Sequence, residues 1–247
     1  MAFYLSIDVG NTRTKVGEFK GSKLVKVHHF TNEEVLKNRM MLDEMELKGL
    51  IISSVNSKVS DYLDLKDRSY PCITLDQNTP LPLKLKYQSP ETLGKDRMAI
   101  AVACKALYPE KDVLGIDMGT CITYDLVTEN GEYLGGAISP GIQMRFNAMN
   151  SGTASLPLIK WDPISVKNLK NIGTTTTTSM ISGVVNGIKA EVLSFIEDYS
   201  QNRDDLKVVL SGGDAEFFEK ELKNGIFADP NLVLKGLNEI LLYNLHT

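Results

Sequence analysis

The chain has 247 residues, 43% hydrophobic and 23% charged, with a net charge of −4. That is enough for two lobes of ordinary size, or one large domain, with a globular composition, and the scattered Lys and Arg residues of a mildly acidic chain give no pointer to nucleic acid. Cys72, Cys104 and Cys121 match neither a zinc motif nor a disulfide framework, and His28, His29 and His246 are too few for a histidine triad or metal centre. The first residues lack the basic-then-apolar layout of a signal segment, and no apolar run reaches the length of a membrane span. A cytoplasmic protein, away from membrane and nucleic acid, is expected.

Phe3, Leu5, Ile7 and Val9 alternate with smaller or polar residues, and a second alternating run follows Asp8-Val9-Gly10-Asn11-Thr12. This pattern predicts a β-hairpin. Gly10 allows close backbone approach, Asn11, Thr12 and Thr14 add side-chain donors, and Arg13 and Lys15 add positive charge. A carboxylate at Asp8 beside such a turn suits a phosphate bound with Mg²⁺. A polar hairpin turn is the alternative.

Residues 24–30 read as a third strand of an antiparallel meander, 32–45 as a weakly patterned helix, and 49–53 as a central parallel strand. Ser53-Ser54-Val55-Asn56 lies at that strand's carboxyl end, where open sheets place ligands, and reads equally as a satisfied polar turn. Residues 71–75 form another strand. Residues 76–90, with Pro80, Pro82 and Pro90, form an extended loop carrying Tyr87. Gly94-Lys95-Asp96-Arg97 opens a helix-forming run from Met98 to Ala106, where Asp96 has two readings, helix N-cap or catalytic carboxylate.

A surface break at 111–113 divides the chain into lobes 1–112 and 113–247. Directly after it, Ile116-Asp117-Met118-Gly119-Thr120 repeats the first motif between two apolar strands. Two such hairpins suggest a duplicated domain with a nucleotide clamped between the halves. Asp125 alternates as a solvated strand position would, though it is also a candidate carboxylate. Asn130-Gly131 makes a hairpin turn, and Ser139-Pro140-Gly141 leads into a helix over 142–149. Residues 156–169 are irregular. Thr174 to Thr178 then precede a broad amphipathic helix through Val184, Ile188, Val192 and Tyr199. A strand at 207–210, a Ser211-Gly212-Gly213-Asp214-Ala215 turn into a helix near Glu216, and a closing helix over 232–245 complete the chain.

The two hairpins, Asp8-Val9-Gly10-Asn11-Thr12 and Asp117-Met118-Gly119-Thr120, resemble the phosphate-binding pair of the actin, sugar kinase and Hsp70 superfamily. With Gly94-Lys95-Asp96-Arg97, Gly135-Gly136 and Ser211-Gly212-Gly213 in this order, the chain is similar over nearly its whole length to type III pantothenate kinases. The resemblance implies an α/β fold of two ribonuclease H-like (actin-like ATPase) lobes, with mixed sheets flanked by helices. It implies ATP-dependent phosphorylation of pantothenate, at the start of coenzyme A synthesis, by a homodimer using Mg²⁺ and K⁺ or NH₄⁺. On this likeness Asp8, Val9, Gly10, Asn11, Thr12, Arg13, Thr14, Lys15 and Thr120 bind ATP, and Asp8 meets Mg²⁺ through phosphate and water. Asp96 is the base, Asp117 holds the monovalent cation, and Tyr87, Gly94, Lys95, Asp96, Arg97 and Thr176 line the pantothenate pocket. Lys95 stands at a variable position of the family, and its charge carries no catalytic role. Ser211 replaces the usual threonine and keeps the hydroxyl. The alternatives are another small-molecule kinase of the superfamily or a non-catalytic transcription accessory protein of the same fold. A Walker A kinase is excluded, because no Gly-x-x-x-x-Gly-Lys-Ser/Thr run exists.

Overall fold

The computed structural model describes residues 3–10, 13–31, 34, 46–54, 68–163, 170–222 and 226–246. The chain forms two compact units, the first made of Met1–Pro109, Asn130–Leu134 and Asn231–Thr247, the second of Glu110–Glu129 and Gly135–Pro230.

In the first unit, β1 (Phe3–Val9), β2 (Arg13–Lys20) and β3 (Lys23–Thr31) make the expected antiparallel meander. The continuously apolar β4 (Leu47–Ser54) pairs parallel with both β1 and β5 (Cys72–Thr74), giving the order β3-β2-β1-β4-β5. Leu5, Ile7 and Val9 pack with Val16, Leu50 and Ile52 on one face. Ile51 and Leu75 meet helices α1 (Lys95–Leu107) and α5 (Leu232–His246) on the other. The proline-rich loop contains one short strand, β6 (Lys84–Leu85), whose extended backbone pairs with Glu132 and Tyr133 at the start of β9 (Glu132–Pro140). The expected helix over 32–45 lies, apart from Glu34, outside the described residues.

The second sheet runs β11-β10-β7-β8-β9-β6. Here β7 (Val113–Met118) and β8 (Cys121–Val127) form the second hairpin, and β10 (Lys207–Ser211) lies parallel to β7. The edge strand β11 (Ile226–Ala228) was not foreseen, because three residues are too few for alternation to register. In the second unit Leu114, Ile116 and Met118 bury against α2 (Ile142–Ser151), α3 (Thr176–Ser200) and α4 (Ala215–Leu222). α3 is long and apolar enough in composition to cross a membrane, which qualifies the expectation that no run reaches that length. Its Met180, Val184, Val185, Ile188 and Val192 instead fill this core.

The sequence division gave residues 113–247 to the second lobe, yet the closing helix α5 packs with the first unit. Its Leu237, Ile240 and Leu241, all fully buried, meet Ala99 and Val102 of α1 and Ile51 of β4. The amphipathic pattern showed that α5 had a core face and not which core it joined. Gly236 brings the two helices close, since a Cβ there would stand 1.8 Å from the Ala99 carbonyl oxygen. Backbone cannot yield as a side-chain tip does. Gly236→Ala is therefore expected to cost about 3 kcal/mol or more, read as a lower urea midpoint, with an unchanged midpoint as the contrary result.

Candidate active site

In β1, Leu5, Ile7 and Val9 enter one core while Tyr4 packs toward α1 and α5. By the same alternation Asp8 leaves the strand's carboxyl end on the side of α1. Gly10 closes the turn with an N–H to the Arg13 carbonyl at 3.0 Å. Asp8 is half-buried. Loss of water and the nearby Asp96 carboxylate push its pKa up to about 6, against the pull of Lys15, its partner in register. Val9 is core and Thr14 fully buried, so any contact Val9 makes with a ligand is through main chain. Arg13 is exposed and Lys15 half-buried, while Asn11 and Thr12 lie outside the described residues.

Asp96 is exposed in the first turn of α1 and does not cap it, because the helix begins at Lys95 with Gly94 as N-cap. Its Oδ1 accepts the Arg97 N–H at 2.9 Å. A side chain at position 94 would put a Cβ 2.5 Å from that oxygen, so glycine leaves room for the carboxylate. Lys95 Nζ donates to the Ser54 carbonyl at 3.2 Å, spending its charge on the end of β4. Arg97 is only 4% exposed and holds its guanidinium 5.8 Å over the Tyr87 ring, which packs 5.9 Å from Tyr133. The first unit thus brings Tyr87 and Arg97 together, beside Gly94 and Asp96 in the chain.

In the second unit, the β7–β8 turn closes through Gly119 N–H to the Cys121 carbonyl at 3.0 Å, leaving Thr120 exposed. Asp117, half-buried, is in register with Ser211 of β10 and Thr123 of β8, so three oxygen-bearing side chains stand abreast on one sheet face. Asp125 lies on that face too, but it is fully buried and accepts from Thr123 Oγ1 at 3.1 Å, which corrects its reading as a solvated position. Gly212, at φ 92°, sits where a Cβ would come 2.5 Å from the Met118 carbonyl oxygen. Asp214 follows, donating its N–H to the same carbonyl at 3.1 Å.

Trp161 Nε1 donates to Asp214 Oδ1 at 2.8 Å, a contact absent from the sequence reading. Burial raises the Asp214 carboxyl pKa and this bond opposes the rise. A lone tryptophan in an otherwise irregular segment was the available signal. Thr175 caps α3 in a reciprocal pair with Thr178. Thr176 lines an open cavity of about 710 Å³ with Thr174, Thr175, Ser179, Met149 and Met180.

Since Asp8 binds its proton more tightly in the folded chain, the native state holds more protons than the unfolded one between about pH 4 and 6. Stability from this group therefore falls as pH rises through that window. With allowance for screening at a half-buried group, Asp8→Asn should gain about 1–2 kcal/mol at pH 7, shrinking to about a third of that at pH 4.5. Urea melts at the two pH values check this, and equal stability of both proteins at pH 7 contradicts it.

The family model for type III pantothenate kinase matches residues 4–198. A type III pantothenate kinase from Christiangramia forsetii is 43% identical over 97% of this chain and 98% of its own length. Among solved structures, one described as a Baf family transcriptional activator from Campylobacter jejuni superposes with a TM-score of 0.66 at 22% identity, covering 98% of this chain and all of that one. Another, described as an N-acetylmannosamine kinase from Listeria monocytogenes, superposes with a TM-score of 0.57 at 12% identity, over 98% of this chain and 99% of that one. At such identities the structural likenesses carry the fold alone, that of the actin-like ATPases and sugar kinases. On the family match and the sequence identity over almost its full length, the chain belongs to the type III pantothenate kinase family.

Proposed function

We infer that the protein transfers the γ-phosphate of ATP to the primary hydroxyl of pantothenate, yielding 4′-phosphopantothenate in the first step of coenzyme A biosynthesis. The observation that carries this reading is the placement of two carboxylates, Asp8 at the end of β1 and Asp96 in the first turn of α1, near enough for Asp96 to raise the pKa of Asp8, in a chain of this family. Asp96, exposed at the start of α1, orients the hydroxyl and takes its proton late. A carboxylate is a weak base for a free alcohol, but the transition state of phosphoryl transfer is loose and demands mainly positioning and charge neutralisation. Arg97, steadied over Tyr87, suits the pantothenate carboxylate. Gly94 and Lys95 belong to that pocket in our reading and the 8–15 hairpin binds the phosphates of ATP, while on the family resemblance Thr176 is assigned to pantothenate and Thr120 to ATP.

Among the described residues no three acidic, histidine or cysteine side chains gather to cage a metal. This fits a divalent ion held mostly by phosphate oxygens and water, which Mg²⁺ prefers. Asp8 would hold that ion's waters, and the ion would neutralise charge on the transferring phosphoryl group. The oxygen set at Asp117, Thr123 and Ser211 suits a hard cation of low charge, K⁺ or NH₄⁺. The same reading places the protein in the cytoplasm as a homodimer. The thiols of Cys72, Cys104 and Cys121 and the exposed apolar side chains of Ile138 and Leu193 support these two points.

Purified protein with Mg²⁺ and ATP is expected to phosphorylate pantothenate at least tenfold faster in potassium or ammonium buffer than in sodium buffer. Equal rates would remove the cation role of Asp117. Absence of turnover in every buffer, with ATP still bound, would favour another kinase of the superfamily or the non-catalytic regulatory protein.

A further inference from the structure

Glu191 of α3 stands at helical spacing among Ile188, Val192 and Phe195, on the face that builds the core of the second unit. A carboxylate there needs a structural or functional partner. Its Oε2 accepts Arg145 Nη2 at 2.7 Å, and its Oε1 accepts the Ser139 hydroxyl at 2.5 Å and the Tyr124 hydroxyl at 3.0 Å. Burial works to raise the Glu191 carboxyl pKa, and the Ser139 and Arg145 bonds outweigh it, so the group stays ionised. Arg145 also turns Nε to the Pro140 carbonyl at 2.8 Å. Four elements of the second unit, β8, β9, α2 and α3, therefore meet at one ion pair.

What this pair grips is the Ser139-Pro140-Gly141 turn. Gly141 donates its N–H to the Thr120 carbonyl at 3.1 Å, and a Cβ at 141 would stand 2.3 Å from the Gly119 carbonyl oxygen. The turn therefore lies flat on the backbone of the second phosphate hairpin. Packing alone does not call for an ion pair, since apolar residues of similar volume commonly stabilise a half-buried site as well or better. Directional bonds to a main-chain carbonyl and two hydroxyls do what apolar contacts cannot, which is to set the position of the turn.

We propose that Arg145 and Glu191 are positioning residues that hold the Gly119–Thr120 hairpin in its ATP-binding shape through the Ser139-Pro140-Gly141 turn. The proposal rests on the pantothenate kinase reading, in which Thr120 contacts ATP. The pair touches neither substrate in this account, so its loss acts on nucleotide affinity first.

The test measures KM for ATP, KM for pantothenate, kcat and direct MgATP binding by calorimetry for wild type, Arg145→Ala, Arg145→Lys and Glu191→Gln. Arg145→Ala and Glu191→Gln are expected to weaken MgATP binding and raise KM for ATP about tenfold, with kcat and KM for pantothenate within about threefold of wild type. Arg145→Lys keeps the charge beside Glu191 without the Nε donor, and should recover part of the loss. If Arg145→Ala does not fold, Glu191→Gln and Arg145→Lys carry the comparison. Folded variants with wild-type ATP affinity, or with kcat and both KM values altered alike, overturn the proposal. A wild-type protein that binds MgATP without phosphorylating pantothenate would overturn the functional reading instead, and the calorimetric comparison would still decide the role of the pair.

Discussion

The candidate active site of the first unit is built on two carboxylates held at one end of a sheet. Asp8 leaves β1 and Asp96 stands in the first turn of α1, and the Asp96 carboxylate adds to the cost of charge on Asp8, which burial has already raised. No gain in fold stability explains such an arrangement, since like charges in a poorly solvated place are unfavourable. In the reading proposed above, a bound phosphate with its divalent ion would relieve this repulsion, so an arrangement unfavourable for the fold suits a charged ligand. The parallel pairing of β1 with β4, and the close approach of α5 to α1 at Gly236, supply the rigid frame that keeps the two groups in place.

Glycine carries a different burden in the second unit. Gly141 and Gly212 each press on the backbone of the second hairpin where no side chain fits. The hairpin is thereby held by main-chain contacts, and the Arg145–Glu191 pair holds one of the pressing turns in turn. The polar face formed by Ser211, Asp117 and Thr123 is a product of strand register alone, in which residues of β10, β7 and β8 come abreast.

The hairpins, the central parallel strand and the long amphipathic helix were legible because each is dictated by local periodicity and turn chemistry. Asp8, Asp96 and Asp117 stood out as candidates because a carboxylate at the end of an apolar strand or the start of a helix contrasts with its surroundings. Position in space was harder to read. Asp125 alternates like a surface residue and is fully buried, because whether a sheet face is covered depends on elements distant in sequence, which one strand's pattern does not record. Asp96 looked like a cap, yet Gly94 takes that position, a difference of two residues that only backbone geometry settles. The partners Trp161 and Asp214, or Arg145 and Glu191, are separated by tens of residues and share no motif. Glu191 did leave one trace, an acidic residue on an apolar helical face.

Replacing Asp96 separates the chemistry of its carboxylate from its place in the fold. The variant Asp96→Asn keeps size and a hydrogen-bond acceptor for the Arg97 N–H while removing the negative charge, so binding and turnover can be separated in one folded protein. MgATP and pantothenate are expected to bind within a few-fold of wild type while kcat falls by about 10² or more. A variant that turns over at near the wild-type rate would contradict the role of Asp96 as base, and would leave it as no more than an acidic residue in the first turn of a helix.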